Sequence, residues 1–328
     1  MFGRVRRLLE SPDTAVPIVR NKLGESRTLL SRGYPLEAVL HSARLVGLDW
    51  QLPYLRLKSS NGRLIRRFHG SEMELSVDDR GVSRDLLVRG EREAESVEVF
   101  KRELRALREE VDPPIVSLDV GANIGYFTLM QAAIFGDDAA ILAIEPVPEN
   151  LEMLERNIEL NGYDSVEVVR GVLSDSSGEA ELALHERSNL HRVADLPEGD
   201  ERARTTTVRA WSGDALVEEH GYSPADVRVV RMDVEGYEST IVDGMREVLA
   251  APGPRVLCIE IHPRTLASGD PDGFVGRLED WGYELVFGYW DRPHRDDMDR
   301  VFETWQEVVD SGINGVEVVA RKRGERTA

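Results

Sequence analysis

Polar side chains recur in this chain directly after short apolar segments. The segment 115–120 runs into a small-residue turn, and the segments 141–144, 166–169, 227–232 and 256–261 are also followed by acidic, small or imidazole side chains. If these segments are parallel strands, their carboxyl ends meet at one edge of a sheet, where open α/β sheets bind ligands. The candidate residues at that edge are Asp119, Gly121, Asn123, Gly125, Glu145, Ser174, Asp175, Asp233, Glu235, Glu260 and His262.

The turn after the first segment is typical of a buried strand, a tight loop and a helix N-terminus. Backbone N–H groups at such a junction are unpaired and carry partial positive charge. We therefore expect the loop to bind a carboxylate or a phosphate of the ligand.

A dinucleotide is a poor match to this loop. The dinucleotide motif needs three glycines, but Asn123 and Tyr126 occupy the second and third positions after Gly121. Glu145 at the second strand end suits a ribose diol without requiring a diphosphate. The sequence thus favours S-adenosylmethionine, with its carboxylate at the helix N-terminus, its ribose hydroxyls donating to Glu145 and its ammonium near Asp119.

Alternating patterns around these residues predict the elements that position them. Helices are expected at 125–135, 148–161, 237–250, 274–281 and 299–310, and further strands at 283–289 and 315–321, the last two forming an antiparallel edge. This alternation predicts an α/β fold with a mostly parallel sheet and right-handed crossovers. Residues 185–207 are predicted to form a long loop or an excursion.

The first 110 residues are predicted to form an N-terminal extension, and residues 111–328 the ligand-binding domain. Residues 1–50 show amphipathic helical spacing. Segments 54–57 and 64–68 flank Asn61-Gly62, which predicts a β-hairpin, with another strand at 74–77. A helix is expected over 93–110, because its apolar residues fall on one face.

Composition limits the classes of partner and location. The 328 residues carry a net charge of −19, and one cysteine excludes an intrachain disulfide, as expected of a cytoplasmic protein. Residues 1–70 contain thirteen Lys or Arg and five Asp or Glu, or +8, which leaves −27 on the remainder and argues against nucleic-acid binding. Only four of the 41 basic residues are lysines, a composition that favours a halophilic, high-salt cytoplasm.

No sustained apolar run indicates a transmembrane segment or a signal peptide. The basic N-terminal segment is either a solvated face or a peripheral contact with an anionic membrane surface.

Five motifs in order resemble the FkbM family of S-adenosylmethionine-dependent methyltransferases. They are Asp119–Thr128, Glu145-Pro146, Leu173-Ser174-Asp175, Arg231–Glu238 and Ile259–Pro263. The resemblance implies a Rossmann-like, seven-stranded, mostly parallel sheet of the class I methyltransferase type and methyl transfer to a hydroxyl, usually of a sugar or small metabolite. It also implies that Gly121, Asn123 and Gly125 line the cofactor, Glu145 contacts the ribose, and Ser174 with Asp175 contacts the adenine.

Methyl transfer to an alcohol gains from a general base, for which Asp233, Glu260 and His262 are candidates. Glu235 and Tyr237 are expected to face the acceptor. Alternatively, His262 bonds a loop carbonyl, and Asp233 and Glu235 cap the following helix. The three base candidates would also offer ligands to a divalent metal ion. A non-catalytic cofactor-binding scaffold and a nicotinamide-dependent dehydrogenase are the alternative functions, and the sequence leaves the acceptor unidentified.

Overall fold

The computed structural model describes residues 12–46, 50–184, 192–193, 204–290 and 300–323. The N-terminal extension begins with α1 (Pro12–Ser31), α2 (Pro35–Ala43), a 3-10 turn (Arg44–Val46) and α3 (Gln51–Lys58). An antiparallel pair follows, β1 (Arg63–Phe68) and β2 (Ser71–Ser76), then α4 (Val82–Arg89) and α5 (Ala94–Glu110). The prediction of a helix over 93–110 is confirmed to within one residue.

The hairpin prediction was wrong in its first strand. Residues 54–57 belong to helix α3, and the Asn61-Gly62 turn connects that helix to β1. The hairpin turn is His69-Gly70 instead, where both residues have positive φ, as tight hairpin turns require. Burial of Leu55 on the inner face of α3 decides the helical state over the local strand pattern.

The ligand-binding domain alternates strands and helices along the chain. It contains β3 (Ile115–Val120), α6 (Tyr126–Phe135), β4 (Ala139–Glu145), α7 (Pro148–Asn161), β5 (Val166–Arg170), β6 (Val172–Ser174), β7 (Gly178–Leu184), β8 (Arg192–Val193), β9 (Arg204–Ser212), α8 (Gly213–Glu219), β10 (Val227–Met232), α9 (Glu238–Asp243), α10 (Arg246–Ala250), β11 (Arg255–Ile261), α11 (Pro271–Asp280), β12 (Tyr283–Trp290), β13 (Arg300–Phe302), α12 (Trp305–Asp310) and β14 (Val316–Lys322). Apart from short edge pieces, the predicted strands are confirmed.

The central sheet has the strand order β13-β12-β14-β11-β10-β3-β4-β5 in the described residues. Strands β11, β10, β3, β4 and β5 are mutually parallel, so their carboxyl ends share one edge. Strand β14 runs antiparallel between β11 and β12. The sheet is Rossmann-like as predicted, and β12 and β14 pair antiparallel at one side of it, but β13 makes eight strands rather than seven.

Two other elements differ from the sequence prediction. The helix expected over 237–250 is two helices, interrupted at Gly244, where an added Cβ would lie 2.0 Å from the Ser174 carbonyl oxygen. The excursion expected over 185–207 is flanked by β7 and β9, which pair in a second sheet of order β6-β9-β7-β8. Residues 185–191 and 194–203 lie outside the described residues.

Alternating side chains of the central sheet pack into two apolar clusters, one on each face. Val116 and Leu118 of β3 face the cluster that contains residues of α8 to α12, whereas Ile115 faces the cluster that contains α5 and α6. Leu55, Leu75 and other apolar residues of the extension belong to the second cluster. The extension therefore shares its core with one face of the sheet, and the predicted boundary near residue 110 stays a prediction.

Candidate active site

A cleft opens at the shared carboxyl edge of β3, β4 and β10. The strand register accounts for its position, because Val120 of β3 lies between Ile144 of β4 and Met232 of β10. Of the predicted site residues, the structure places Gly121, Asn123, Glu145, Asp233, Glu235 and Tyr237 on the walls of this cleft.

Gly121 lets the loop after β3 approach the end of β10. Its φ is +80°, and an added Cβ would lie 2.3 Å from the Asp233 carbonyl oxygen. A side chain at this position would therefore separate the two strand ends that form the cleft. Gly125, at the start of α6, also has positive φ but packs against Leu154 instead of lining the cleft.

The backbone N–H groups of residues 121–125 all make hydrogen bonds within the protein. Gly121 and Ala122 both donate to the Ile144 carbonyl oxygen, and Gly125 donates to the Ala122 carbonyl oxygen. Asn123 donates from its backbone to Glu145 Oε2 at 2.8 Å. These donors fasten the loop to β4 and to itself, and the expected contact of a ligand carboxylate with the N-terminus of α6 stays a prediction.

Glu145 presents a buried carboxylate to the cleft. It is 4% exposed, and its Oε1 accepts hydrogen bonds from the Val147 backbone and from Asn150 Nδ2, each at 3.0 Å. Burial raises the pKa of Glu145 to about 7, although hydrogen bonds from Asn150, Val147 and Asn123 act in the opposite direction. The carboxylate is thus fixed in orientation and retains capacity to accept a further hydrogen bond from a ligand hydroxyl.

Asp119 lies beneath the cleft rather than on its wall. It is fully buried, accepts a hydrogen bond from Thr128 Oγ1, and its Oδ1 is 3.7 Å from Arg231 Nη1. Burial raises the pKa of Asp119, and the nearby Arg231 charge lowers it. Within the described chain, Oδ1 of Asp119 accepts no hydrogen bond.

Arg231 connects the acidic groups at the centre of the edge. Its Nη1 donates to the Gly121 carbonyl oxygen at 3.1 Å, its Nη2 is 3.1 Å from Asp233 Oδ2, and its guanidinium lies over the Phe127 ring. Burial followed by the charge of Glu260 raises the pKa of Asp233, against the lowering effect of Arg231. Arg231 therefore fixes the orientation of the Asp233 carboxylate on the cleft wall, and the raised pKa makes this carboxylate a stronger base.

Ser174 and Asp175 lie next to the cleft without lining it. Ser174 is buried, and its hydroxyl is 3.0 Å from the Tyr237 hydroxyl, which does face the cleft. Asp175 is exposed and accepts a hydrogen bond from Ser174. The neighbouring cleft wall is formed instead by Gly171-Val172-Leu173.

His262 is enclosed by three carboxylates. Its Nδ1 is 2.8 Å from Glu238 Oε1, and its Nε2 is 3.5 Å from both Glu235 and Glu260. Burial would lower the pKa of His262, but the adjoining carboxylates raise it to about 11. The ring is thus protonated at neutral pH and ion-paired, which disfavours it as a proton acceptor and leaves Asp233 as the better base candidate.

The alternative readings of these residues do not describe the structure. His262 pairs with carboxylates rather than with a loop carbonyl. Helix α9 begins at Glu238 after the N-cap residue Tyr237, so neither Asp233 nor Glu235 occupies the capping position. Among the described residues, no group of three or more His, Cys, Asp or Glu side chains is arranged to hold a metal ion.

The sequence reasoning assigned no role to two cationic residues of the cleft. Arg231 sits among apolar residues of a buried strand, and that contrast is a signal that the sequence does contain. Arg92 reaches the cleft from the segment between α4 and α5, which lies outside the motifs. In the described residues, no helix is long and apolar enough to cross a membrane.

Comparisons with known proteins identify relatives of the domain. A profile described as the methyltransferase FkbM domain matches residues 119–285. The hexuronic acid methyltransferase AglP of Haloferax volcanii is 34% identical over 161 residues, which cover 48% of this chain and 61% of the relative. A protein-L-isoaspartate O-methyltransferase of Methanothrix thermoacetophila is 31% identical over 121 residues, covering 35% and 55%. The chain thus spans less than two thirds of either relative.

Solved structures with similar folds are more distant. TYW2 of M. jannaschii in complex with AdoMet has a TM-score of 0.41 and 17% identity, covering 81% of this chain and 88% of that one. The methyltransferase FkbM from Methylobacillus flagellatus has a TM-score of 0.37 and 13% identity, covering 85% and 65%.

Proposed function

The chain belongs to the FkbM methyltransferase family, and we propose that it transfers a methyl group from S-adenosylmethionine to a hydroxyl oxygen of a sugar or glycan. The observation that carries the proposal is the cleft wall, which includes both the Glu145 carboxylate and the Asp233 carboxylate. The first suits recognition of a ribose, and the second suits activation of a hydroxyl.

S-adenosylmethionine is the methyl donor that the family implies, and the residues of the cleft fit it. Glu145 would accept from the ribose hydroxyls through lone pairs that its three protein donors leave free. Asp119 Oδ1, buried without a hydrogen-bond partner in the described chain, would serve the ammonium group through water. When bound, the cofactor supplies an electrophilic methyl group on sulfonium and leaves as S-adenosylhomocysteine.

The chain's own part in catalysis is to align the acceptor and remove its proton. During transfer, the acceptor hydroxyl would lose its proton to the Asp233 carboxylate, while the bound cofactor would supply the methyl group. Arg231 holds Asp233 Oδ2 at 3.1 Å, which fixes the base in orientation. The protonated His262 holds Glu235 and Glu260 beside this site.

A sugar acceptor is supported by the relative AglP, whose described activity is hexuronic acid methylation. The second relative is described as an O-methyltransferase that acts on a protein. We propose the sugar because the match to AglP is longer and more identical, and we propose oxygen as the methylated atom because a carboxylate base suits a hydroxyl.

The test is calorimetric binding of S-adenosylmethionine, followed by transfer of isotope-labelled methyl to glucose, glucuronate and galacturonate, detected by mass spectrometry. We expect saturable binding and a labelled methyl ether. A matched pair of variants sharpens the result: Glu145→Gln should weaken cofactor binding, whereas Glu149→Gln, an exposed carboxylate outside the cleft, should not. A protein that binds no S-adenosylmethionine, or that labels no hydroxyl, would refute the proposal.

A further inference from the structure

Arg92 brings a positive charge from the N-terminal extension to the cleft, and the next residue, Glu93, pairs with it. Arg92 lines the cleft, and its Nε and Nη2 donate to Glu93 Oε1 at 3.2 and 2.8 Å. Glu93 has a φ of +49°, a backbone conformation that non-glycine residues rarely adopt. The Tyr126 hydroxyl donates to the Arg92 carbonyl oxygen at 3.3 Å, so a residue of the first helical turn after β3 positions this segment.

Each residue of the pair has a buried polar atom without a hydrogen-bond partner in the described chain. Arg92 Nη1 is buried without a hydrogen-bond partner, with Asp85 Oδ2 3.8 Å away as an ion-pair partner only. Glu93 Oε2 is likewise buried and accepts no hydrogen bond. A buried charged donor or acceptor left without a partner is costly, so such atoms indicate a partner that binds from outside.

Arg92 differs from the other cation of the cleft in this respect. Arg231 has both of its terminal nitrogens committed, one to the Gly121 carbonyl oxygen and one to Asp233. Arg92 therefore keeps one terminal nitrogen, Nη1, without a hydrogen-bond acceptor in the described chain. Both Arg92 and Asp233 line the cleft, and the charge of Asp233 is among the causes that raise the pKa of Arg92.

We propose that Arg92 recognises a carboxylate of the acceptor, so that the protein selects an acidic sugar over the corresponding neutral sugar. The inference rests on the proposed function. A guanidinium matches the planar geometry of a carboxylate, and its hydrogen bonds are strengthened by the opposite charges. An acidic acceptor needs this cation, because Asp233 and Glu235 on the cleft wall would otherwise repel it.

The test compares p-nitrophenyl β-glucuronide with p-nitrophenyl β-glucoside, two probes that differ in the carboxylate. Their dissociation constants are measured with and without saturating S-adenosylhomocysteine. We expect the wild-type protein to prefer the glucuronide. Arg92→Gln should weaken glucuronide binding roughly 10- to 100-fold, the range for a charge-assisted hydrogen bond, and weaken glucoside binding less than about threefold.

Two further variants separate recognition from a structural role. Arg92→Lys keeps the charge but loses the planar fork, so we expect intermediate glucuronide binding. Arg89→Gln is the control, because Arg89 lies outside the cleft and is 3.5 Å from Glu25, and we expect it to leave both probes unchanged. Equal weakening of the two probes by Arg92→Gln, or a wild-type protein without preference, would overturn the inference.

Failure of the proposed function gives a different result. A protein that prefers the glucuronide through Arg92 but transfers no methyl group would refute the proposed function and leave this inference standing. A protein that methylates both sugars with equal kcat/KM would support the proposed function and refute this inference.

Discussion

We predict that the ionised carboxylate of Glu145, which is buried and would bind the cofactor, lowers the free energy of unfolding of the protein. Burial raises the pKa of Glu145 from 4.5 to about 7. Between these values the folded state binds a proton that the unfolded state has released. The stability due to this group is therefore complete below about pH 4.5 and is lost as the pH rises through about 7. The shift corresponds to about 3 kcal/mol of unfolding free energy, an order-of-magnitude figure.

Glu145→Gln removes the titration and keeps the shape. Relative to the variant, the free energy of unfolding of the wild-type protein should fall by about 3 kcal/mol between roughly pH 4.5 and pH 8. The amide also loses one of the oxygens that accept from Asn123, Val147 and Asn150, which adds a pH-independent cost. The pH slope of the difference, rather than its absolute value, reports the raised pKa.

Cofactor binding should show the opposite pH trend. Ribose hydroxyls donate to the ionised carboxylate, so Glu145 must release its proton to bind at a pH below about 7. The affinity for S-adenosylmethionine should rise up to tenfold per pH unit towards about pH 7 and then level off. In Glu145→Gln the affinity should be roughly tenfold lower and lack this trend.

Urea unfolding and calorimetric binding at several pH values, at one high salt concentration, test both trends. Glu149→Gln serves as the control, because that side chain is exposed in the first turn of α7, the helix that follows Glu145. If the unfolding free energies of the wild-type protein and Glu145→Gln run parallel from roughly pH 5 to pH 8, the reasoning from burial is wrong.

Three further variants test the geometry of the edge. Gly121→Ala should lower the unfolding free energy by at least about 2 kcal/mol and abolish methyl transfer, because it adds a clash with the Asp233 carbonyl oxygen to the cost of positive φ. Gly162→Ala, with positive φ and open space around it, should show the smaller backbone cost alone in the same urea titration. Asp233→Asn should lower kcat roughly 10²- to 10⁴-fold with little change in cofactor affinity, and unchanged kcat would exclude Asp233 as the base. His262→Gln should lower the melting temperature, because three carboxylates lose their shared cation, and should lower kcat less than Asp233→Asn does.

Sequence patterns predicted the fold wherever burial follows a simple period. All six residues of β3 are buried, and α5 buries one face, so apolar runs and helical spacing located both elements. The predictions failed where a contact with a residue far away in the sequence determines the local structure. Helix α9 ends at Gly244 because the Ser174 backbone passes close by, and 54–57 is helical because Leu55 packs into the core. Neither neighbour is visible in the local sequence.

The sequence predicted which positions form the candidate site, but not the protonation states and partners of their side chains. Parallel strands bring Gly121 and Asp233 together by register alone. The protonation of His262 depends on Glu238, whose side chain reaches it from α9. The role of Arg92 depends on where the extension folds, and its own segment has no periodic pattern.

The predictions of cellular location and of membrane contact do not depend on the residues of the candidate site. Residues 1–11, which include the basic start of the chain, lie outside the described residues. Contact with an anionic membrane, a cytoplasmic location and a halophilic origin stay predictions from composition.

The proposed cofactor contacts and the proposed acceptor contact differ in where along the chain they originate. The proposed cofactor contacts, from Asp119 to Glu145, fall within the matched FkbM region of residues 119–285. Arg92 lines the same cleft but precedes that region. If Arg92 binds the acceptor as proposed, a substitution at this position changes the charge offered to an acceptor without moving the loop that Gly121 fixes against β10, so selectivity for charge would vary independently of the cofactor contacts.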